Sequence, residues 1–98
     1  MHNYELVLLT QFIKHAADLQ EKYPRADEAI AIAKTFLCDK AEECGYSTRS
    51  ELRYFPTRSF LNSTPPFLIF FHIEQKKVNL VDITEYPQEG SDENENES

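Results

Sequence analysis

The side chains that could carry out chemistry are thinly spread along this sequence. Cys38 and Cys44 stand six residues apart in a segment with helical periodicity. That spacing matches no zinc motif, and on a helix it points the two thiols in different directions. Imidazole suits acid–base chemistry near neutral pH, and His15 and His72 are two of the chain's three histidines. We expect packing thiols, a solvated His15 and no metal centre.

Other catalytic signatures are missing from the sequence. The chain has two glycines and no glycine-rich phosphate loop. No serine or cysteine stands in a recognisable pattern with a base and an orienting group. The sequence therefore predicts no cofactor and gives no support to a common enzyme class.

Charge is unevenly distributed along the chain. The net charge is −7, but residues 89–98 contribute five acids and no base. Residues 44–77 form a modestly basic middle with two acids, Glu51 and Glu74. The basic residues of this middle are Arg49, Arg53, Arg58, Lys76 and Lys77. A nucleic-acid-binding protein usually has a clear basic excess, whereas this sequence offers a local patch.

No stretch approaches the roughly 20 apolar residues that span a membrane. The N-terminus, MHNYELVLLTQF, lacks a basic leader and a cleavage site. We therefore expect a cytoplasmic protein without a membrane partner.

Hydrophobic periodicity predicts the elements that must position these residues. Residues 2–9 alternate as a strand, and an amphipathic helix follows from Thr10, its expected N-cap, to Pro24. A second helix is expected from a cap at Asp27 to a left-handed Gly45. The two helices should form an antiparallel hairpin.

Three strands are predicted after the helices. ELRYF places Arg53 and Phe55 on one face, opposite Leu52 and Tyr54. FLIFFHI at 67–73 is apolar on both faces, as in a strand covered on both sides, and VNLVDI at 78–83 follows a turn, EQKK, of about four residues. The expected fold is a single α+β domain, β-α-α-β-β-β, with the helical hairpin packed on one face of a small, mainly antiparallel sheet at residues 1–87. Residues 88–98 should be a disordered acidic tail.

Three stretches together resemble the RelE/ParE superfamily of bacterial toxins from toxin–antitoxin pairs. They are YELVLLTQFIKHAADLQEKYP, ELRYFP and PPFLIFFHIEQKKVNLVDI, similar to the family's first strand and helix, its arginine-bearing strand and its aromatic-rich hairpin. The resemblance implies either ribosome-dependent cleavage of messenger RNA or inhibition of DNA gyrase, with neutralisation by an antitoxin protein. Homodimer formation is left open.

The resemblance also implies site residues. Arg53 matches a phosphate-facing arginine, His72 stands where an acid–base or cationic group is common, and Tyr86 matches a C-terminal aromatic. Messenger cleavage would use these three as catalytic residues, because it needs cations for a pentacovalent phosphate and an acid–base group. The basic residues expected to contact nucleic acid are Arg49, Arg58, Lys76 and Lys77.

The last strand departs from the family pattern. VDITEY carries Asp82 and Glu85 where family members typically have arginine or lysine. Acids near a phosphate site oppose anion binding. An alternative is therefore a catalytically inactive RelE/ParE-like interaction module, an acidic inhibitor or partner-binding protein of phage or plasmid origin.

Overall fold

The structure is a computed structural model that describes residues 3–46, 51–60 and 64–86. These residues include two α-helices and four β-strands. The elements follow the order β-α-α-β-β-β, so the predicted α+β class is confirmed. Arg49 and the acidic segment 88–98 lie outside the described residues. The elements are β1 (Glu5–Leu8), α1 (Thr10–Lys22), α2 (Ala26–Lys40), a 3-10 turn (Ala41–Glu43), β2 (Arg53–Pro56), β3 (Phe67–Glu74) and β4 (Lys77–Glu85).

Helix α1 forms because its apolar residues repeat at helical spacing and bury Phe12, Ala16 and Leu19. The predicted cap at Thr10 is wrong by one residue. Leu9 occupies the N-cap position, and its carbonyl accepts the Ile13 N–H at 3.0 Å, so Thr10 already lies inside the helix.

Helix α2 differs from its prediction at both ends. Its N-cap is Arg25, which places Asp27 in the first turn, where a carboxylate still favours the helix dipole. The helix ends at Lys40 and tightens into the 3-10 turn, whose Ala41 carbonyl accepts the Cys44 N–H at 3.1 Å. Gly45 has no left-handed conformation, since the chain has already left the helix.

The sheet has the order β1-β4-β3-β2. Strand β1 runs parallel to β4, and the other two pairs are antiparallel. The hairpin predicted for residues 67–83 supplies the two central strands, β3 and β4.

The turn between β3 and β4 has two residues, where about four were expected. Glu74 pairs directly with Lys77 in the ladder. Gln75 and Lys76 have φ angles of 52° and 67°, which are typical of a type I′ turn that matches the right-handed twist of a hairpin. Side chains other than Gly or Asn are strained there.

The helices cover one face of the sheet. Alternate residues of β3, Phe67, Ile69 and Phe71, are fully buried in a single core with the buried residues of both helices. The residues between them are only partly buried, so the expectation that β3 is covered on both sides is wrong. The face away from the helices is called the open face. It includes Val7, Tyr54, Leu68, Phe70, His72 and Asn79, which share it by register.

A bulge interrupts the ladder between β3 and β4. Phe70 pairs with Asp82 and Phe71 with Leu80, which leaves Val81 as the extra residue of β4. A bulge bends the strand and re-aims nearby side chains. At this bulge the Asp82 carboxylate points towards α1, where the side chains of Gln11 and His15 contact it.

The segment after β2 packs against the body. Thr57 and Thr64 are 5% and 2% exposed, and the Thr57 hydroxyl oxygen accepts the Phe67 N–H at 2.8 Å. The Phe60 ring lies 3.9 Å from the Arg25 guanidinium carbon and packs on the core. Within the described ranges, neither helix has the length and apolar character that crossing a membrane requires.

Candidate functional site

Arg53 is engaged in holding the end of the helical hairpin. It lies on β2 opposite Phe71, on the face that the helices cover. Its Nη1 donates to the Cys44 carbonyl at 2.6 Å and to the Glu42 carbonyl at 3.3 Å. Its guanidinium also stacks over the Tyr46 ring at 4.5 Å. These contacts give Arg53 a positioning role, and its phosphate-binding role stays a prediction.

His72 lies on the open face, half-buried and paired in register with Asn79. Successive residues of a strand point to opposite faces, so His72 and Phe71 diverge. Since Arg53 shares the face of Phe71, the imidazole and the guanidinium lie on opposite sides of the sheet.

Tyr86 lies at the far end of β3. Its N–H donates to the Pro66 carbonyl at 2.9 Å, one residue before β3 begins. His72 is six residues further along β3, about 20 Å away at the ordinary strand rise. The sheet therefore does not bring Arg53, His72 and Tyr86 into one constellation.

The described basic candidates are also dispersed. Lys76 lies in the hairpin turn and Lys77 opens β4 beside it, so these two are neighbours. Arg58 is exposed in the segment after β2, which leads into the opposite end of β3. Arg49 lies outside the described residues.

The acids of β4 are bound by α1. The Asp82 Oδ1 lies 2.6 Å from His15 Nδ1, and its Oδ2 accepts from Gln11 at 2.9 Å. Partial burial acts to raise the Asp82 pKa, but the hydrogen bonds with His15, Gln11 and the Ile83 N–H together hold that pKa below its usual value. The His15 side chain is 44% exposed, as a solvated residue would be, but its ring is also paired with a carboxylate, which was not expected.

Glu85 makes the second link to α1. Its Oε2 accepts from Tyr23 at 2.9 Å and from Lys22 at 3.1 Å. Both hydrogen bonds lower the pKa of Glu85, and the same contact raises the pKa of Tyr23. Asp82 and Glu85 thus join α1 to the end of β4 and are not directed at Arg53 or His72.

Two clefts flank His15. One, of about 370 Å³, lies between α1 and the end of β4 and is lined by Asp18, Asp82 and Glu85 as well as His15. The other, of about 630 Å³, opens at the start of α1. A histidine oriented by a carboxylate can exchange a proton. The three carboxylates of the first cleft make it a poor place for the phosphates of RNA.

Sequence reasoning missed the contacts of Gln11, His15 and Lys22 with β4. A signal was present, because Gln11, His15 and Lys22 are separated by four and seven residues and so share one side of a helix. Their acidic partners could not be read from the sequence, since the bulge at Val81 decides where Asp82 points.

The cysteines are unpaired thiols of intermediate exposure, and burial raises the pKa of Cys44. Across residues 3–46, 51–60 and 64–86, no three His, Cys, Asp or Glu side chains converge as metal ligands do.

Comparisons with known proteins identified no matching family model, curated protein or solved structure.

Proposed function

We propose that this protein is a toxin-like component of a bacterial toxin–antitoxin pair that acts by binding a protein target and not by cutting RNA. DNA gyrase is the target that the ParE side of the resemblance implies, and an antitoxin protein would neutralise the activity. Such inhibition requires a complementary surface and no hydrolytic site.

The separation of Arg53, His72 and Tyr86 carries this proposal. Phosphodiester cleavage needs its cation and its acid–base group within hydrogen-bond reach of one phosphate. Here the guanidinium and the imidazole lie on opposite faces, and the phenol lies at the other end of β3. Contact with a protein target makes no such demand.

The open face supports the proposal as a binding surface. Tyr54 and Phe70 are cross-strand partners on β2 and β3, and Leu68 and His72 flank Phe70 along the strand. Tyr54 is 36% exposed, and the other three are partly buried. Aromatic residues with apolar neighbours on a rigid sheet are typical of residues that dominate protein–protein affinity.

Induced expression in bacteria tests the proposal when growth and RNA are followed together. We expect growth arrest with no new messenger 5′ ends at ribosome-bound positions. Tyr54→Ser with Phe70→Ser should relieve the arrest, whereas Ile32→Ser, a change of an exposed apolar residue on α2, should not. Circular dichroism of each variant checks that it folds. New 5′ ends that depend on the wild-type protein would contradict contact inhibition and favour the ribonuclease.

The inactive interaction module remains the second candidate, and one observation favours it. Asp82 and Glu85 stand where the resemblance places arginine or lysine, and contacts with His15 and Tyr23 hold these two acids in the fold. If the wild-type protein is harmless at high expression yet retains a host protein through the open face, the module is the better description. Loss of retention in the Tyr54→Ser and Phe70→Ser variant would assign that binding to the same surface.

A further inference from the structure

Strand β1 is paired on one side only. Its Glu5 N–H donates to the Lys76 carbonyl at 2.9 Å, and the Leu9 N–H donates to the Leu80 carbonyl at 3.1 Å. In a parallel ladder alternate residues direct their backbone groups to the same neighbour, so Glu5, Val7 and Leu9 face β4. The backbone groups of Tyr4, Leu6 and Leu8 therefore point away from β4. The Tyr4 N–H is already occupied, because it donates at 2.8 Å to the Cys38 carbonyl near the end of α2, so the free edge is limited to the N–H and C=O groups of Leu6 and Leu8. Within the described part of the chain, no hydrogen-bond partner meets them.

We propose that a second copy of this chain covers this edge, with the two β1 strands pairing antiparallel about a twofold axis at Val7. Leu6 then pairs with the partner's Leu8, and Leu8 with the partner's Leu6. The two four-stranded sheets become one continuous sheet of eight strands. This interface lies at the sheet edge and is independent of the function proposed for the open face.

The hydrogen-bonding pattern selects this register. Only Leu6 and Leu8 present outward backbone groups on β1, so a paired strand must place outward residues opposite each other. A register centred on Val7 uses both residues of both chains and gives four backbone hydrogen bonds. A register centred on Leu6 would pair only Leu6 with its copy, and a register centred on Leu8 would pair only Leu8 with its copy.

The side chains fit the same register. Leu6 packs on the core, and Leu8 is 37% exposed on the same face, so each cross-strand pair is Leu with Leu. On the open face, Val7 meets its own copy. Glu5 stands opposite the partner's Leu9, which is 36% exposed, so the two glutamates do not face each other.

The self-complementarity of the strand favours a second copy over a foreign strand. An isologous contact needs one patch that matches itself, and the stretch Glu5–Leu8 places Leu against Leu and Val against Val. A free edge with apolar side chains is otherwise an aggregation hazard that proteins cover or charge. The chain's net charge of −7 opposes association, so the dimer should strengthen with added salt.

Disulfide trapping tests the register directly. Val7→Cys is placed in a chain whose natural thiols are replaced by Cys38→Ala and Cys44→Ala, and Glu5→Cys in the same background is the matched control. A non-hydrogen-bonded antiparallel pair brings Cα atoms to about 4.5 Å, within the range a disulfide spans. In this register the two residues at position 5 are offset by four residues, which separates them by about 13 Å along the strand. We expect at least about tenfold more disulfide dimer from Val7→Cys, since bridging needs Cα atoms within roughly 7 Å.

Equal trapping of the two variants, or none from Val7→Cys, would overturn the proposal. Sedimentation velocity on the unmodified chain provides the second arm. The mass should rise from 11.4 kDa towards twice that value with concentration and salt. Leu8→Lys should remain monomeric, and Ile32→Lys should behave as the wild type. A wild-type chain that stays monomeric throughout would overturn the proposal.

Discussion

Replacing Arg53 by alanine tests whether this residue positions the chain or serves a ligand. The guanidinium donates at 2.6 Å to a partly buried carbonyl, that of Cys44, and stacks at 4.5 Å over Tyr46. A hydrogen bond from a charged donor contributes about 1.5–3 kcal/mol when well placed. An exposed cation–π contact adds about 0.5–1 kcal/mol. The second bond, to the exposed Glu42 carbonyl at 3.3 Å, is long and adds little.

We therefore expect Arg53→Ala to lower the free energy of unfolding by about 2 kcal/mol after allowing for the partial exposure of the site. In a domain of this size that corresponds to a fall in Tm of roughly 8–16 °C. Arg53→Lys should recover part of the loss, because it restores the charge without the planar fork. Arg58→Ala, at an exposed arginine, is the control and should change stability by no more than about 0.5 kcal/mol.

Urea and thermal unfolding followed by circular dichroism measure these differences, and induced expression of the same variants measures growth arrest. If Arg53→Ala were as stable as the wild type and yet abolished growth arrest, the positioning role would be refuted and Arg53 would belong to the functional site.

Two further predictions concern β4 and its turn. Gln75→Asn with Lys76→Gly should raise the free energy of unfolding by roughly 1 kcal/mol, since both positions have positive φ and Asn-Gly is the preferred type I′ pair; urea unfolding checks this, and no gain would contradict the turn geometry. The Asp82 pKa is lowered on folding, so this carboxylate stabilises the fold above its ordinary pKa of 3.8, and that stabilisation is lost as the pH falls through the lower folded value. Asp82→Asn should therefore be less stable at neutral pH and lose less stability on acidification than the wild type, as measured by urea titrations across that window; parallel acid profiles would show that the Asp82 carboxylate contributes nothing to stability.

The order of elements could be predicted because each segment carries its own period. The alternation in ELRYF correctly placed Arg53 and Phe55 together on one face and Tyr54 on the other. The dense apolar runs correctly identified the central hairpin. Local pattern decided these features, and the structure agrees with them.

Features that depend on partners distant in sequence could not be predicted. The carbonyls that hold Arg53 come from the turn after α2, and their positions are set by how the helix ends. The residues between Phe67, Ile69 and Phe71 are apolar although no helix covers them, so hydrophobicity alone overstated the burial of β3. The partner of His15 depends on a single extra residue in β4.

The register of β2 on β3 is the feature on which the separation of the three predicted catalytic residues depends. A slip of one residue would turn every side chain of β2 to the other face and bring Arg53 to the side of His72. Cross-strand backbone NOEs in solution measure this register directly. We expect NOEs that align Arg53 with Phe71 and Phe55 with Ile69. NOEs that align Arg53 with His72 would contradict the account and restore a common site for the guanidinium and the imidazole.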